Sequence, residues 1–317
     1  MSSSSDRARL LTVSAGTNAE AFRASDWGLL GAVALTWGAS FLFIRIGLDA
    51  FSPYLVAFLR ISLGAVTLAC VPAARGRIDR SDWGRVVLLA VIWMALPLTL
   101  FPLAEQHVNS ALAGMLNGGM PILTAVVATA LGLRRPGRVQ IIGLAVGFAG
   151  VVLISADSFQ IGGDQAFGVL LIFGALICYA FSANLAVPLQ QRYGGPALML
   201  RVEAVGAVLT APMAAWGLRS SHFAWRPLLA VMVLGIVGTG AAFAVMASLL
   251  GRVGATRGSI VTYLMPPVSI VLGVVVRDDH IAWLSVVGMG VVLVGAVLVS
   301  RKEAPPIVVD AIEALDG

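Results

Sequence analysis

The sequence predicts an all-α integral membrane protein, with ten transmembrane helices arranged as two inverted five-helix repeats. Three observations carry that expectation. The chain is 59% hydrophobic and only 12% charged, with a mean hydropathy of +0.93. Soluble domains run at about 25% charged residues, so most of this surface must meet lipid. Next, one apolar unit occurs twice. A shift of 145 residues lays Met120-Pro121 on Met265-Pro266, Gly143 on Gly288, Gly150 on Gly295 and Leu153-x-Ser155 on Leu298-x-Ser300. Finally, the basic residues between the apolar runs fall almost entirely on alternate connections.

Residues 1–26 are polar and rich in Ser and Ala, and are expected to form a disordered cytoplasmic tail without a cleavable signal peptide. A span needs about 20 apolar residues to cross about 30 Å of hydrocarbon. Segments meeting that length are expected at 27–48, 53–74, 85–105, 109–133 and 139–156, which make up the first repeat (27–156). Residues 157–165 form an outer linker. The second repeat (166–300) holds spans at 166–188, 196–217, 227–250, 256–276 and 281–300, and 301–317 form a cytoplasmic tail.

Orientation follows from the positive-inside rule. With the N-terminus inside, the inner segments hold fifteen basic residues, among them Arg75, Arg77, Arg80, Arg134, Arg135, Arg192, Arg252 and Lys302. The outer segments hold Arg219, Arg226 and Arg277. Both termini are therefore expected to face the cytoplasm. Five spans per repeat then force the second copy to insert upside down relative to the first, a pattern that builds alternating-access carriers.

The chain resembles the drug/metabolite transporter superfamily, EamA type. The resemblance rests on Trp37-Gly38-Ala39-Ser40-Phe41 with Arg45, on Pro53 with Ala57-Phe58-Leu59-Arg60, on Met120-Pro121 followed by Gln140-Ile141-Ile142-Gly143, and on Met265-Pro266 followed by Gly288. It covers about residues 27–300. It implies a ten-helix bundle in which spans 1, 3, 4, 6, 8 and 9 surround a central cavity, and a cargo such as amino acids, related metabolites or nucleotide sugars. The family often carries Gly-Glu at the ends of spans 4 and 9; here Arg134 and Asp279 hold the glutamate positions.

Several residues stand out as site candidates. Pro121 lacks an N–H and frees a carbonyl near Asn117, and Gly118-Gly119 loosens the helix further. In lipid a freed carbonyl needs a neighbour, water or a ligand. Asn117, Gly118 and Gly119 are thus candidates for a midplane binding surface, mirrored by Thr262, Tyr263 and Met265, with Pro121 and Pro266 as hinges. The alternative is a packing kink. Trp37, Ser40, Trp93, Tyr179, Asn184 and Thr239 are polar or aromatic side chains that suit a cavity wall, or else simply pack and back-bond.

Ionisable residues within spans cost about 2.5–3.5 kcal/mol each at a helix centre. Arg60 lies about two turns inside span 2 and is expected to pair with Asp49 or Glu105 in an outer gate. Arg45, Arg201 and Glu105 read as anchors. Arg201 and Glu203, two residues apart, are expected to have separate partners. The only other carboxylate near a span is Glu105, so no central titrating carboxylate is expected, and proton coupling stays open.

Other function classes find little support. His107, His222 and His280 fall in loops without a zinc pattern, and neither an aspartyl nor a Ser-Lys arrangement is available, so neither enzyme activity nor a metal or cofactor is expected. No arginine cluster interleaves with stacking aromatics, so no nucleic-acid partner is expected. The expected partners are a small-molecule substrate and the lipid bilayer; oligomeric state is open. The leading expectation is an exporter of amino acids or similar metabolites. The alternatives are a multidrug or quaternary-cation exporter, which would want a central glutamate, and a passive channel or membrane scaffold.

Overall fold

The computed structural model describes residues 23–108, 110–133, 136–155, 163–265, 267–268 and 283–301. All regular structure among them is helical. The expected hinge at Pro266, the inner residues Arg134, Arg135 and Lys302, and most of the tails and of the linker 157–165 lie outside the described residues.

Helix α1 (Ala24–Leu48) starts three residues before the expected boundary because Asp26 fixes its first turn. Its carboxylate accepts from the Arg23 N–H at 3.0 Å and pairs with Arg252 at 2.9 Å. Helix α2 (Pro53–Ala69) begins at a Ser52 cap, whose hydroxyl accepts from the Leu55 N–H, with Pro53 in the first position where no donor is wasted. Helix α3 runs as Trp83–Leu89, a π-helical segment Ala90–Ala95, and Leu96–Ala104.

The expected fourth span is two helices, α4 (Ser110–Asn117) and α5 (Met120–Ala130). Then come α6 (Arg138–Ser155), α7 (Gly163–Tyr193) and α8 (Gly195–Gly217). Residues 163–165 thus belong to α7 rather than to a linker. Helix α9 mirrors α3: Trp225–Val233, a π-helical segment Leu234–Ala241, and Ala242–Val253. Short α10 (Ala255–Gly258) ends in a turn at Ser259-Ile260, after which 261–265 resume the helix, and α11 spans Trp283–Ser300. Gly194 (φ 80°) and Gly254 (φ 85°) make the sharp reversals before α8 and α10, in backbone regions that only glycine enters cheaply.

Five stretches among the described residues are long and apolar enough to cross a bilayer: Ala24–Leu48, Arg80–Ala104, Gln165–Tyr193, Gly195–Ser220 and Trp225–Val253. Shorter apolar helices include Pro53–Ala69, Met120–Ala130, Arg138–Leu153 and Val286–Ser300. The outer surface carries Leu35, Val66, Leu170, Val208 and Val294, all exposed, as a lipid-facing surface requires. Exposed Trp216, Phe223 and Trp225 gather near Tyr54 at one end, the interfacial place for amphipathic rings. Ion pairs gather at the other end, where Arg192 joins Asp79 and Asp82 and Tyr193 donates to Asp82 at 2.6 Å.

Packing pairs helices across the two halves: α1 with α9, α2 with α8, α3 with α7, and α6 with α11. The last contact is the most extensive and is made by glycine. A Cβ on Gly143 would lie 2.8 Å from the Val299 backbone, and one on Gly150 would lie 2.6 Å from that of Val292. Small residues let the two backbones close at this interface. Gly290 of α11 takes no part in it, with open space around it.

Candidate substrate cavity

Elements from both halves converge on one cavity. Helix α1 presents Trp37, Ser40, Phe41 and Ile44, spaced so that they share one face. Helix α2 adds Arg60, and α3 adds Trp93, Leu98 and Phe101. Asn117 ends α4 and Met120 begins α5, both against the cavity, opposite Ser259, Thr262 and Met265 of the other broken helix. Tyr179 and Ala183 come from α7, and Phe243, Met246 and Leu250 from α9.

The rings form two groups. Trp37 and Phe243 lie 4.8 Å apart between centroids, with Trp93 edge-on to Phe243 at 6.2 Å. Phe101 stacks on Tyr179 at 6.0 Å and meets Phe41 edge-on at 5.9 Å. Such walls bury an apolar ligand surface and leave orientation to a few polar groups.

The π-helical segments place several of these groups. A π turn misaligns the backbone ladder and leaves carbonyls for other donors. The Trp37 indole donates to the Gly238 carbonyl at 2.9 Å, inside the second π segment. Thr239 donates back to Leu234 at 3.0 Å and accepts from Arg60 Nε at 3.1 Å. Trp93 sits in the first π segment.

Of the residues singled out from sequence, Trp37, Ser40, Trp93, Asn117, Tyr179 and Arg60 line the cavity, with Thr262 and Met265. Others do different work. Gly118 and Gly119 form the break between α4 and α5 but are not among the lining residues. Pro121 is the second residue of α5, so it follows the break instead of kinking a continuous helix. Asn184 ties α7 to α5 by donating to the Thr124 carbonyl at 3.0 Å. Thr239 stands behind the wall, holding Arg60. Tyr263 is wholly buried against α6, where its hydroxyl donates to Leu144 at 2.7 Å and its ring fills the notch left by Gly147.

The charged candidates also separate. Arg45 donates to the Glu105 carbonyl at 3.0 Å, and Glu105 Oε2 accepts from Ser110 at 3.1 Å. Arg201 donates to the Ala74 and Arg75 carbonyls, capping the connection after α2. The expected ion pair of Arg60 with Asp49 or Glu105 does not form; its direct bond is to Thr239. Glu203 is fully buried beside Gly64 and Gly240, with neither carboxylate oxygen hydrogen-bonded among the described residues. Sequence reading passed over Phe101, Met120, Phe243, Met246 and Ser259 as lining groups. Phe243, Met246 and Leu250 do recur at helical spacing, yet lipid-facing residues do the same.

Residues 27–156 and 166–301 each match the EamA-like transporter family. Among similar chains, an uncharacterized transporter of Archaeoglobus fulgidus is 23% identical over 87% of this chain and 99% of its own length. The uncharacterized inner membrane transporter YedA of Escherichia coli K12 is 23% identical over 90% of this chain and 95% of its own. A probable terminal-alkyne amino-acid exporter of Streptantibioticus cattleyicolor is 24% identical over 87% of this chain and 93% of its own. A crystal structure superposes with a TM-score of 0.70 at 20% identity, covering 87% of this chain and 96% of the other, which extends the likeness to the fold. With two matches that together span most of its length, the chain belongs to the EamA-like transporter family.

Proposed function

We propose that this protein is a secondary transporter of the inner membrane that exports small metabolites such as amino acids by alternating access. In this reading it holds ten spans in two inverted five-helix repeats, with both termini in the cytoplasm. The observation that carries it is the meeting of the two broken helices at the cavity, where Asn117 Nδ2 lies 3.4 Å from Met265 Sδ. A contact between one arm from each half is what a carrier must open on one side while closing the other.

Three further facts support it. The cross-half pairings α1–α9, α2–α8, α3–α7 and α6–α11 are those that a two-fold relation between five-span repeats would give. Ion pairs crowd the end that holds Arg192 and Arg252, away from exposed Trp216 and Trp225, in keeping with the arginine asymmetry of the sequence. One relative carries the name of an amino-acid exporter. The aromatic wall gives a quaternary-cation exporter some support through cation–π attraction. Against it, the one charged side chain in the described wall is itself a cation, Arg60.

Proteoliposomes loaded with a labelled amino-acid panel test the reading. Wild type is expected to release at least one member, and Trp37→Ala to slow that release about tenfold through loss of ring area and of the bond to Gly238. No movement of any solute in either direction would sink the carrier reading.

A further inference from the structure

Arg60 is nearly fully buried, at 4% exposure, yet its side chain reaches the cavity. It is fixed from behind: Nε donates to Thr239, whose own hydroxyl proton goes to Leu234 five residues back in the π segment. That leaves the terminal guanidinium nitrogens without a hydrogen bond to any described residue. No carboxylate comes within ion-pair distance of the guanidinium among the described residues.

Neither glutamate lines the cavity. Glu203 is lodged where a Cβ on Gly64 would come within 2.5 Å of Oε2, and Glu105 is held by Ser110. Both carboxyl groups therefore stand behind the wall, while the Arg60 side chain reaches the cavity. A carboxylate is the group that fills two guanidinium donors at once in matching planar geometry.

A second unfilled group is Asn117. Its amide nitrogen is directed at Met265, and its carbonyl oxygen is buried without a partner. That oxygen can accept from an ammonium, and the faces of Trp37 and Phe243 offer the same charge a cation–π contact.

We propose that the cavity takes ligands bearing a carboxylate, that Arg60 binds this carboxylate through its terminal nitrogens, and that the Asn117 carbonyl receives the ligand's ammonium. This rests on the carrier reading above and adds to it the chemistry that selects the cargo. Arg60 is the specificity residue, and Thr239 positions it.

The experiment is thermal unfolding of the detergent-solubilised full chain, followed by tryptophan fluorescence. Two ligand panels are compared: amino acids, and the corresponding amino-acid amides, which keep side chain and ammonium but lack the carboxylate. A ligand that binds the folded state raises the midpoint. At least one acid is expected to raise it and the matching amide to leave it unchanged. Arg60→Gln is expected to weaken that acid about tenfold or more, and Arg60→Lys to recover part of the loss.

The comparison of acid and amide on wild type needs no variant, so misfolding of Arg60→Gln cannot hide the answer. Equal shifts by acid and amide would overturn the proposal, and so would full binding by Arg60→Gln. If quaternary ammonium ions shift the midpoint and move across proteoliposomes while no acid does, the carrier reading stands and this proposal falls. If no solute of either charge binds or moves, both fall.

Discussion

The two broken helices share a Met-Pro step at the same place in each repeat, yet they break in different ways. In the first, the interruption is Gly118-Gly119, directly before Met120-Pro121. In the second it is Ser259-Ile260, about a turn and a half ahead of Met265. The first break is stitched by backbone alone, with Gly119 donating to Leu116 at 2.9 Å and Leu123 donating to Gly119 at 3.2 Å. The second uses hydroxyls, with Ser259 donating to Thr256 at 2.8 Å and Thr262 donating to Ser259 at 2.9 Å.

The arms are also anchored differently. Tyr263 clamps the second arm to α6 through Gly147 and Leu144, whereas a Cβ on Gly119 would meet only Leu116 and Phe148. Pro121, which follows the first break, does not set it. Glycine and hydroxyl chemistry set the two breaks, and that chemistry has diverged between the copies. The π-helical segments make the opposite point. Ala90–Ala95 and Leu234–Ala241 correspond at the same 145-residue offset, although no shared residue pattern announces them. The halves agree in geometry where the sequence is silent.

Substitutions can break or sharpen this contrast. The largest effect is expected from Gly147→Val, because a side chain there overlaps the Tyr263 ring and must expel it. Overpacking of this kind costs about 1–3 kcal/mol or more, and the thermal midpoint should fall well below wild type. An unchanged midpoint would mean that the second arm is not clamped. Next comes Gly64→Ala, which sets a methyl 2.5 Å from Glu203 Oε2 and 3.0 Å from the Gly240 nitrogen. It should cost about 1–2 kcal/mol by the same measurement and disturb Arg60 one turn away.

A smaller loss, about 1 kcal/mol for one hydrogen bond, is expected for Tyr263→Phe, which keeps the ring and removes only the bond to Leu144. The smallest belongs to Pro121→Ala. As the second residue of α5 its missing N–H deprives no helical bond, so a stability change of at most about 1 kcal/mol and transport within about twofold of wild type are expected. A collapse of transport in Pro121→Ala would restore the proline as the hinge.

How much was legible follows from what lipid does to sequence signals. Trp37, Ser40, Arg60, Trp93, Asn117 and Tyr179 were readable because each is polar or aromatic inside an apolar run, and all six line the cavity. Asn184, Thr239 and Tyr263 gave the same signal and spend it on backbone carbonyls of a neighbouring helix or of their own turn. In a bilayer any polar side chain needs a partner, so polarity within a span marks glue as readily as a binding site. Phe243, Met246 and Met120 were invisible for the converse reason: a wall facing the cavity and a face meeting lipid use the same residues. The burial of Glu203 was not readable, because linear distance from the helix end says nothing of the packing of α2 and α9 over it.

In the proposed transport cycle the two arms part at the cavity, and a reversible cross-link between them would hold them together. In a background where Cys70 and Cys178, the free cysteines, are replaced by alanine, cysteines are placed at Asn117 and Met265. Transport of the panel solute in proteoliposomes is then measured oxidised and reduced. Arrest on oxidation with recovery on reduction is the predicted result. A cross-link that forms in full while transport continues at the reduced rate would contradict the account.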